Sequence, residues 1–315
     1  MLAYVLRKLP GALATLLLAS IAIFLLIHLL PGSPAVLIAG PDATPEVVKQ
    51  IERDLGLDKP LPVSYLYWVS GLLRGELGQS YISRAPISSL IRSRVFNSLE
   101  LMLVAIVFAT VIGFTLGGLA ALTKSNRLQL ALAGINAFMI SIPPFVTGLV
   151  LILILSVTFR MLPTGGQAQD TGNVWEMFKH VLMPAMTLAI PTAAVIARFL
   201  QTSLRHTLRE DYIRTAIAKG LSPKRVVLRH AMPAALAPVV TIVGIQMGQL
   251  LGGAVIVESV FAWPGLARLL IDAVLSHDYL LVQNVLLLSV IVFMIMQITT
   301  DIAHAALDPR MSLKT

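Results

Sequence analysis

Cysteine is absent from the 315-residue chain, so neither a disulfide nor a thiolate metal site is available to it. Charge is scarce as well. Asp, Glu, Lys and Arg make up 13% of the residues, about half of the roughly 25% carried by a soluble domain. With 57% hydrophobic residues and a mean hydropathy of +0.83, most of the surface cannot face water. There is no G-x-x-x-x-G-K-[ST] phosphate loop, so ATP hydrolysis is not expected in this chain. No H-E-x-x-H run occurs, and none of the six histidines pairs at metal spacing with a carboxylate inside an apolar stretch. A membrane enzyme and a metal site are thereby disfavoured. Asp301 and His304 are three apart, but they fall at the end of the last apolar run, where solvated polar residues belong. Internal repeats, low-complexity tracts and flexible linkers are also missing.

Six stretches free of Asp, Glu, Lys and Arg reach 18 residues: 9–41, 101–123, 128–159, 180–197, 230–257 and 279–300. A spanning helix needs about 20 mainly apolar residues. Unpaired backbone groups are costly in lipid, so each stretch should be helical. The predicted class is an all-α integral membrane protein with six transmembrane helices. They are expected near 9–30, 99–122, 130–157, 181–200, 234–257 and 281–300. The fourth window is the shortest and is interrupted by Pro184 and Pro191. The first has an apolar core longer than the roughly 7–15 residues of a signal peptide, with no A-x-A site before Pro31, and reads as an uncleaved span.

Six spans put both termini on one side. With the amino end inside, segments 1–8, 123–129, 198–233 and 301–315 hold 2, 2, 8 and 2 basic residues. The short outside loops, 158–180 and 258–280, hold only Arg160, Lys179 and Arg268. Lys and Arg retard translocation, so both termini are expected in the cytoplasm. Three parts follow: an N-terminal span at 1–30, an extracytoplasmic insert at 31–98, and a five-helix core at 99–315 with a cytoplasmic loop at 201–233. The insert has mixed charge and an aromatic patch at Tyr65, Tyr67 and Trp68. It is either a passive loop at the membrane interface or a cap and docking surface.

The cytoplasmic loop is the most informative segment. Asp211 suits a helix start and Gly220 the left-handed position past a helix end, leaving about two helical turns between them. Ser222 then reads as an N-cap with Pro223 at the first position of a second short helix. Thr215, Ala216 and Ala218 give small side chains before the turn, which would let another protein approach closely. Basic residues around two helices could suggest DNA. The inside bias already accounts for these charges, and no nucleic-acid partner is expected.

In the fifth span Gly244, Gly248 and Gly252 recur every four residues, beside Gly253, a pattern that permits close helix contact in lipid. Gln246 and Gln249, three apart, are expected to share a face, either for interhelical hydrogen bonds or to line a pathway. No span has a central charge, which suits solutes of varied charge and disfavours a proton relay. Pro143 and Pro144 must bend or break the third span, making it, with Asn136, a structural kink or a moving part.

The run DYIRTAIAKG at 211–220, followed by LSPKRVVLRHAMP to Pro233, resembles the "EAA" loop of permease subunits of binding-protein-dependent ABC importers. Ala216, Gly220, Met232 and Pro233 fall on that pattern. Arg214 stands at its acidic position, Thr215 at its first Ala and His230 at its Ile. The form is that of the dipeptide/oligopeptide branch, which includes nickel and glutathione permeases. The resemblance runs on through YVLRKL at 4–9, HLLPGSP at 28–34, GLLRGELGQS at 71–80, ESVFAWPGL at 258–266 and DPR at 308–310. Ser33, Ala267 and His304 depart from the usual Asp, Gly and Tyr.

The resemblance implies half of a translocation pathway for di- or oligopeptides, with nickel complexes or glutathione as alternative cargo. It implies a bacterial inner membrane location, a second permease, two ATPase subunits holding ATP and Mg, and an external solute-binding protein. No cofactor is implied for this chain. It assigns ATPase coupling to the loop residues Asp211, Tyr212, Arg214, Thr215, Lys219 and Gly220, with Ala216 and Pro233, and an outer-face motif to Glu258, Phe261, Pro264 and Gly265. A stand-alone facilitative channel is the rival class.

Overall fold

A computed structural model describes residues 2–29, 34–40, 43–54, 58–168 and 172–307. The PGS turn at 31–33 and the DPR run at 308–310 lie outside the described residues. Thirteen helices run in the order α1 (Leu2–Leu29), α2 (Pro34–Ala39), α3 (Pro45–Asp54), α4 (Leu61–Arg74), α5 (Ile87–Leu122), α6 (Asn126–Ser141) and α7 (Pro144–Leu151). They continue with α8 (Val174–Thr207), α9 (Asp211–Ala218), α10 (Pro223–Arg225), α11 (Met232–Val260), α12 (Leu266–Leu275) and α13 (Tyr279–Leu307). Among the described residues the extended pairing is one isolated bridge, Gln79 with Pro86.

Among the described residues, five helical stretches are long and apolar enough to cross a membrane: Lys8–Leu29, Ile87–Leu122, Val174–Thr207, Pro223–Val260 and Tyr279–Thr299. The third expected span differs. It is two pieces, α6 and α7 with its π-helical extension Ile152–Thr158, bent by 100° at the break. The cause is local. Ile142 and Pro143 are extended (ψ 125° and 138°) because each precedes a proline ring that excludes the α region. The fourth helix is instead longer than expected. Val174–Thr207 absorbs Pro184 and Pro191, and neighbouring helices bury most of its length. Such packing offsets the backbone bonds that the two prolines remove.

The contacts define two compact units, one of Met1–Val5, Leu99–Trp263 and Ile295–Thr315, the other of Leu6–Ser98 and Pro264–Met294. Residues 31–98 fall in the second unit, together with 6–30 and 264–294.

In the first unit α5 and α8 approach closely. A Cβ on Gly113 would lie 2.8 Å from Ile196 Cβ, and one on Gly117 would lie 2.6 Å from the Ala197 carbonyl oxygen. Small residues every four positions on both helices, Gly113 and Gly117 against Ala193 and Ala197, permit this. Asn136 Nδ2 donates to the Ala194 carbonyl at 2.8 Å, tying α6 to α8. A second close contact surrounds Phe261, fully buried, whose carbonyl accepts from Gly166 N at 2.7 Å. A Cβ on Gly148 would meet the Phe261 ring at 3.0 Å, and one on Gly165 would overlap its carbonyl.

In the second unit, Ile23, Ile27, Ile87, Ile91, Leu269 and Val285 share a core. Asp278, just before α13, accepts from Ser80 Oγ at 2.5 Å, from Tyr81 N at 3.3 Å and from Leu281 N at 3.3 Å. One carboxylate thus caps α13 and pins the loop between α4 and α5. Asn284 Nδ2 adds a bond to the Leu77 carbonyl at 3.2 Å.

Candidate functional site

The loop between α8 and α11 folds into a short, firmly closed helix. Glu210, extended at φ −66° and ψ 149°, is the N-cap, and Asp211 occupies the first turn, where its charge complements the helix dipole. Asp211 and Arg214 approach at 3.4 Å, an exposed pair that contributes little. At the other end Gly220 N donates to the Ile217 carbonyl at 2.9 Å and Leu221 N to the Ala216 carbonyl at 3.3 Å. With Gly220 at φ +76°, this is the Schellman ending that spends helix carbonyls on the turn itself. A Cβ on Gly220 would meet nothing within 4 Å, so the demand for glycine is conformational and not steric.

Two residues of α9 point inward. Ile213 is fully buried and Ala216 is 8% exposed, in a cluster with Leu204 of α8, Val226, and Ala231 and Ala235 at the start of α11. Leu221 packs against the same cluster. Tyr212, Thr215, Ile217, Ala218 and Lys219 are exposed, with Tyr212 at 46% and Ile217 at 59%. The small side chain of Ala216 therefore serves the packing of α9 on its own chain, and not an outward small face. An exposed Tyr and Ile on a polar eight-residue helix are the residues that a partner would cover.

Beyond the turn, Ser222 and Pro223 stand at the N-cap and first helical position as expected, though Ser222 makes no side-chain cap bond. The second short helix is not separate. Residues 226–231 form a π-helical turn that leads directly into α11. The widening falls just before Pro233, which lacks an N–H and whose ring would strike the carbonyl four residues back in a regular helix. Arg205 Nη2 donates to the Ala120 carbonyl at 2.7 Å, and Ser203 Oγ to the Ala235 carbonyl at 2.9 Å, so the end of α8 that leads into α9 is bound to α5 and α11.

The fifth-span residues separate. Gly244 and Gln246 are buried, Gly248 is half-buried, and Gln249 and Gly252 are exposed, so the two glutamines do not share one environment. Along the stripe burial falls from Gly244 through Gly248 to Gly252. Gly253, whose added Cβ would lie 3.3 Å from Leu188 Cδ2, faces α8, while Gly252 has open space. The packing glycines of the chain, Gly113, Gly117, Gly148 and Gly165, were not singled out by the sequence reading, although G-x-x-x-G at 113–117 was there to be read.

In the segment at 258–266, Glu258, Phe261 and Trp263 are buried, and Trp263 N donates to the Glu258 carbonyl at 2.8 Å. Ala262 takes φ +50° to close that turn. Pro264 and Gly265 belong to the second unit. There the Pro264 carbonyl accepts from Asn97 Nδ2 at 2.8 Å, and Gly265 is the N-cap of α12.

Long apolar helices, with a short helix packed against α8 and the start of α11, define a multi-pass membrane protein. Residues 113–313 match the family described as "Binding-protein-dependent transport system inner membrane component", and residues 1–107 match the N-terminal segment of such components. The chain belongs to this family, as a multi-pass ABC importer permease of the bacterial inner membrane in the peptide, nickel and glutathione branch. It is 41% identical over 317 residues to the glutathione transport system permease protein GsiC of Salmonella typhimurium, covering 100% of both chains. It is 40% identical, with the same coverage, to GsiC of Escherichia coli K12. The fold resembles the inward-facing MetNI methionine ABC transporter, with a TM-score of 0.60 and 22% identity over 71% of this chain and 98% of that one. An amino acid ABC transporter gives a TM-score of 0.53 at 17% identity, covering 71% of this chain and 94% of that one.

Proposed function

We propose that this chain forms half of a translocation pathway that imports glutathione or peptides of similar size. It pairs with a second permease, receives solute from an external binding protein, and is driven by two ATPase subunits that hold ATP and Mg. Helix α9 is the coupling element, docking through Tyr212 and Ile217 into one ATPase. The observation that carries the coupling role is the construction of α9. It is closed at Gly220 and anchored through Ile213 and Ala216, yet leaves two large apolar side chains in water. Motion at the outer face of such a helix passes to α8 and α11 through buried contacts, because packed interiors deform little.

Full-length similarity to glutathione permeases favours glutathione over the broader di- and oligopeptide reading. The inside bias of Lys and Arg supports cytoplasmic termini, a cytoplasmic loop at 201–233 and an outer position for 31–98 and the motif at 258–265. Proteoliposomes holding the assembled importer, with its binding protein outside and ATP inside, test the reading. Radiolabelled glutathione should accumulate only with ATP and the binding protein. Accumulation of a nickel complex with no glutathione uptake would refute the solute, and glutathione flux without ATP would refute the importer in favour of a channel.

A further inference from the structure

The second unit encloses a half-open cavity of about 370 Å³, walled by α4, the loop after it, the end of α1 and the start of α13. That volume falls within the roughly 300–1,000 Å³ of small-molecule sites. Its charge is one-sided: Arg53, Lys59 and Arg74 line it against the single carboxylate of Glu76. The Lys59 ammonium sits 4.8 Å over the Tyr67 ring, which holds this flexible cation at the wall.

Tyr81 lines the wall as a neutral phenol: burial and the Asp278 carboxylate push it up to about 12 and keep it protonated. Three cations lining one space match an oxyanion, and an Arg fork binds a carboxylate with particular strength. The aromatic faces of Phe24 and Trp68 offer an apolar wall for the rest of the molecule.

We infer that this cavity is a binding site for a small organic anion, its carboxylate held among Arg53, Lys59 and Arg74. The site lies on this chain and needs no binding protein, so it goes beyond the transport reading and does not depend on it. An acidic lipid headgroup carries similar chemistry, and the test must separate the two sources.

Equilibrium dialysis of radiolabelled glutathione against the full chain in phosphatidylcholine nanodiscs, without binding protein, makes that test. Binding should saturate at one site. Arg74→Gln, at an exposed position that does not endanger folding, should weaken it about tenfold, or about 1.4 kcal/mol, and Arg74→Lys should restore part of the loss. Lys59→Gln should weaken binding at unchanged thermal stability. Glutathione diethyl ester, with both carboxylates masked, should not compete. Absence of saturable binding, or equal binding of the diester, overturns the assignment. Loss of glutathione binding when phosphatidylglycerol replaces phosphatidylcholine also overturns it, because the occupant is then lipid. Uptake by the assembled importer is measured in parallel. Uptake without binding here sinks the site alone, and binding without uptake sinks the transport reading alone.

Discussion

Gly117 and Gly118 are adjacent on α5, yet Ala should have opposite effects at the two positions. A Cβ at Gly117 would lie 2.6 Å from the Ala197 carbonyl oxygen and 3.0 Å from its Cα, whereas one at Gly118 meets nothing within 4 Å. Ordinary contact begins near 3.4 Å, so α5 must retreat from α8 by about 0.8 Å to admit the methyl. The obstacle is backbone and cannot rotate away. A gap of about 0.5–1 Å forfeits a quarter to a half of each contact's attraction along the interface. Overpacking of this kind costs about 1–3 kcal/mol. Ala-for-Gly in a helix gains about 1 kcal/mol, and that gain is common to both variants. The difference between them therefore isolates the packing cost. Melting of the purified chain in one detergent should place Gly117→Ala below Gly118→Ala by at least about 2 °C, since about 1 kcal/mol moves a domain of 150–250 residues by about 2–4 °C. Equal melting temperatures would refute the close approach of α5 and α8.

Four further outcomes follow from the loop. Ile217→Asp and Tyr212→Ala should each reduce co-purification of the ATPase about tenfold or more with the melting temperature of the chain unchanged. Ala216→Trp should instead destabilise the chain itself by about 1–3 kcal/mol, because it enters a filled cluster; normal ATPase capture by Ile217→Asp would remove α9 as the docking element. Gly220→Val should abolish uptake at normal membrane abundance while Gly220→Asn retains part of it, since Asn tolerates φ +76° and a β-branched residue does not; equal activity of the two would exclude the turn as the cause. Ser222→Cys, exposed and introduced into a chain with no native cysteine, should resist an impermeant maleimide in intact cells and react in inverted vesicles; labelling from outside would reverse the topology.

The sequence made some features legible and concealed others for physical reasons. Span positions follow from the one-dimensional cost of placing charge in lipid, which is why four of the windows lie within longer helices and the first, 9–30, matches the apolar stretch Lys8–Leu29 to within one residue at each end. The Gly220 turn was readable because a left-handed residue is a local demand that few other residues meet. The bend at Pro143 was readable as a break, but its 100° angle depends on where neighbouring helices catch the second piece. Which glycines pack was not readable from spacing alone. The runs at 113–117 and 244–252 have the same period, and only the arrangement of α8 decides that Gly117 meets backbone while Gly252 meets none.

The orientation of α9 shows the same limit at the candidate site. Its sequence offers Ile213 and Ala216, three apart on one face, and Tyr212 and Ile217, five apart and flanking that face on either edge, and any of these could have faced a partner. The choice is made by residues distant in sequence. Leu204, Val226, Ala231 and Ala235 create a cavity that accepts one Ile and one methyl. Ala at 216 is therefore small because the chain's own helices leave no more room, and the larger Ile217 remains outside. Smallness before the Gly turn is evidence of how tightly the loop is fixed to α8 and α11. A coupling element needs that fixation, because a helix that could slide on its own chain would dissipate an ATPase's motion before it reached the spans.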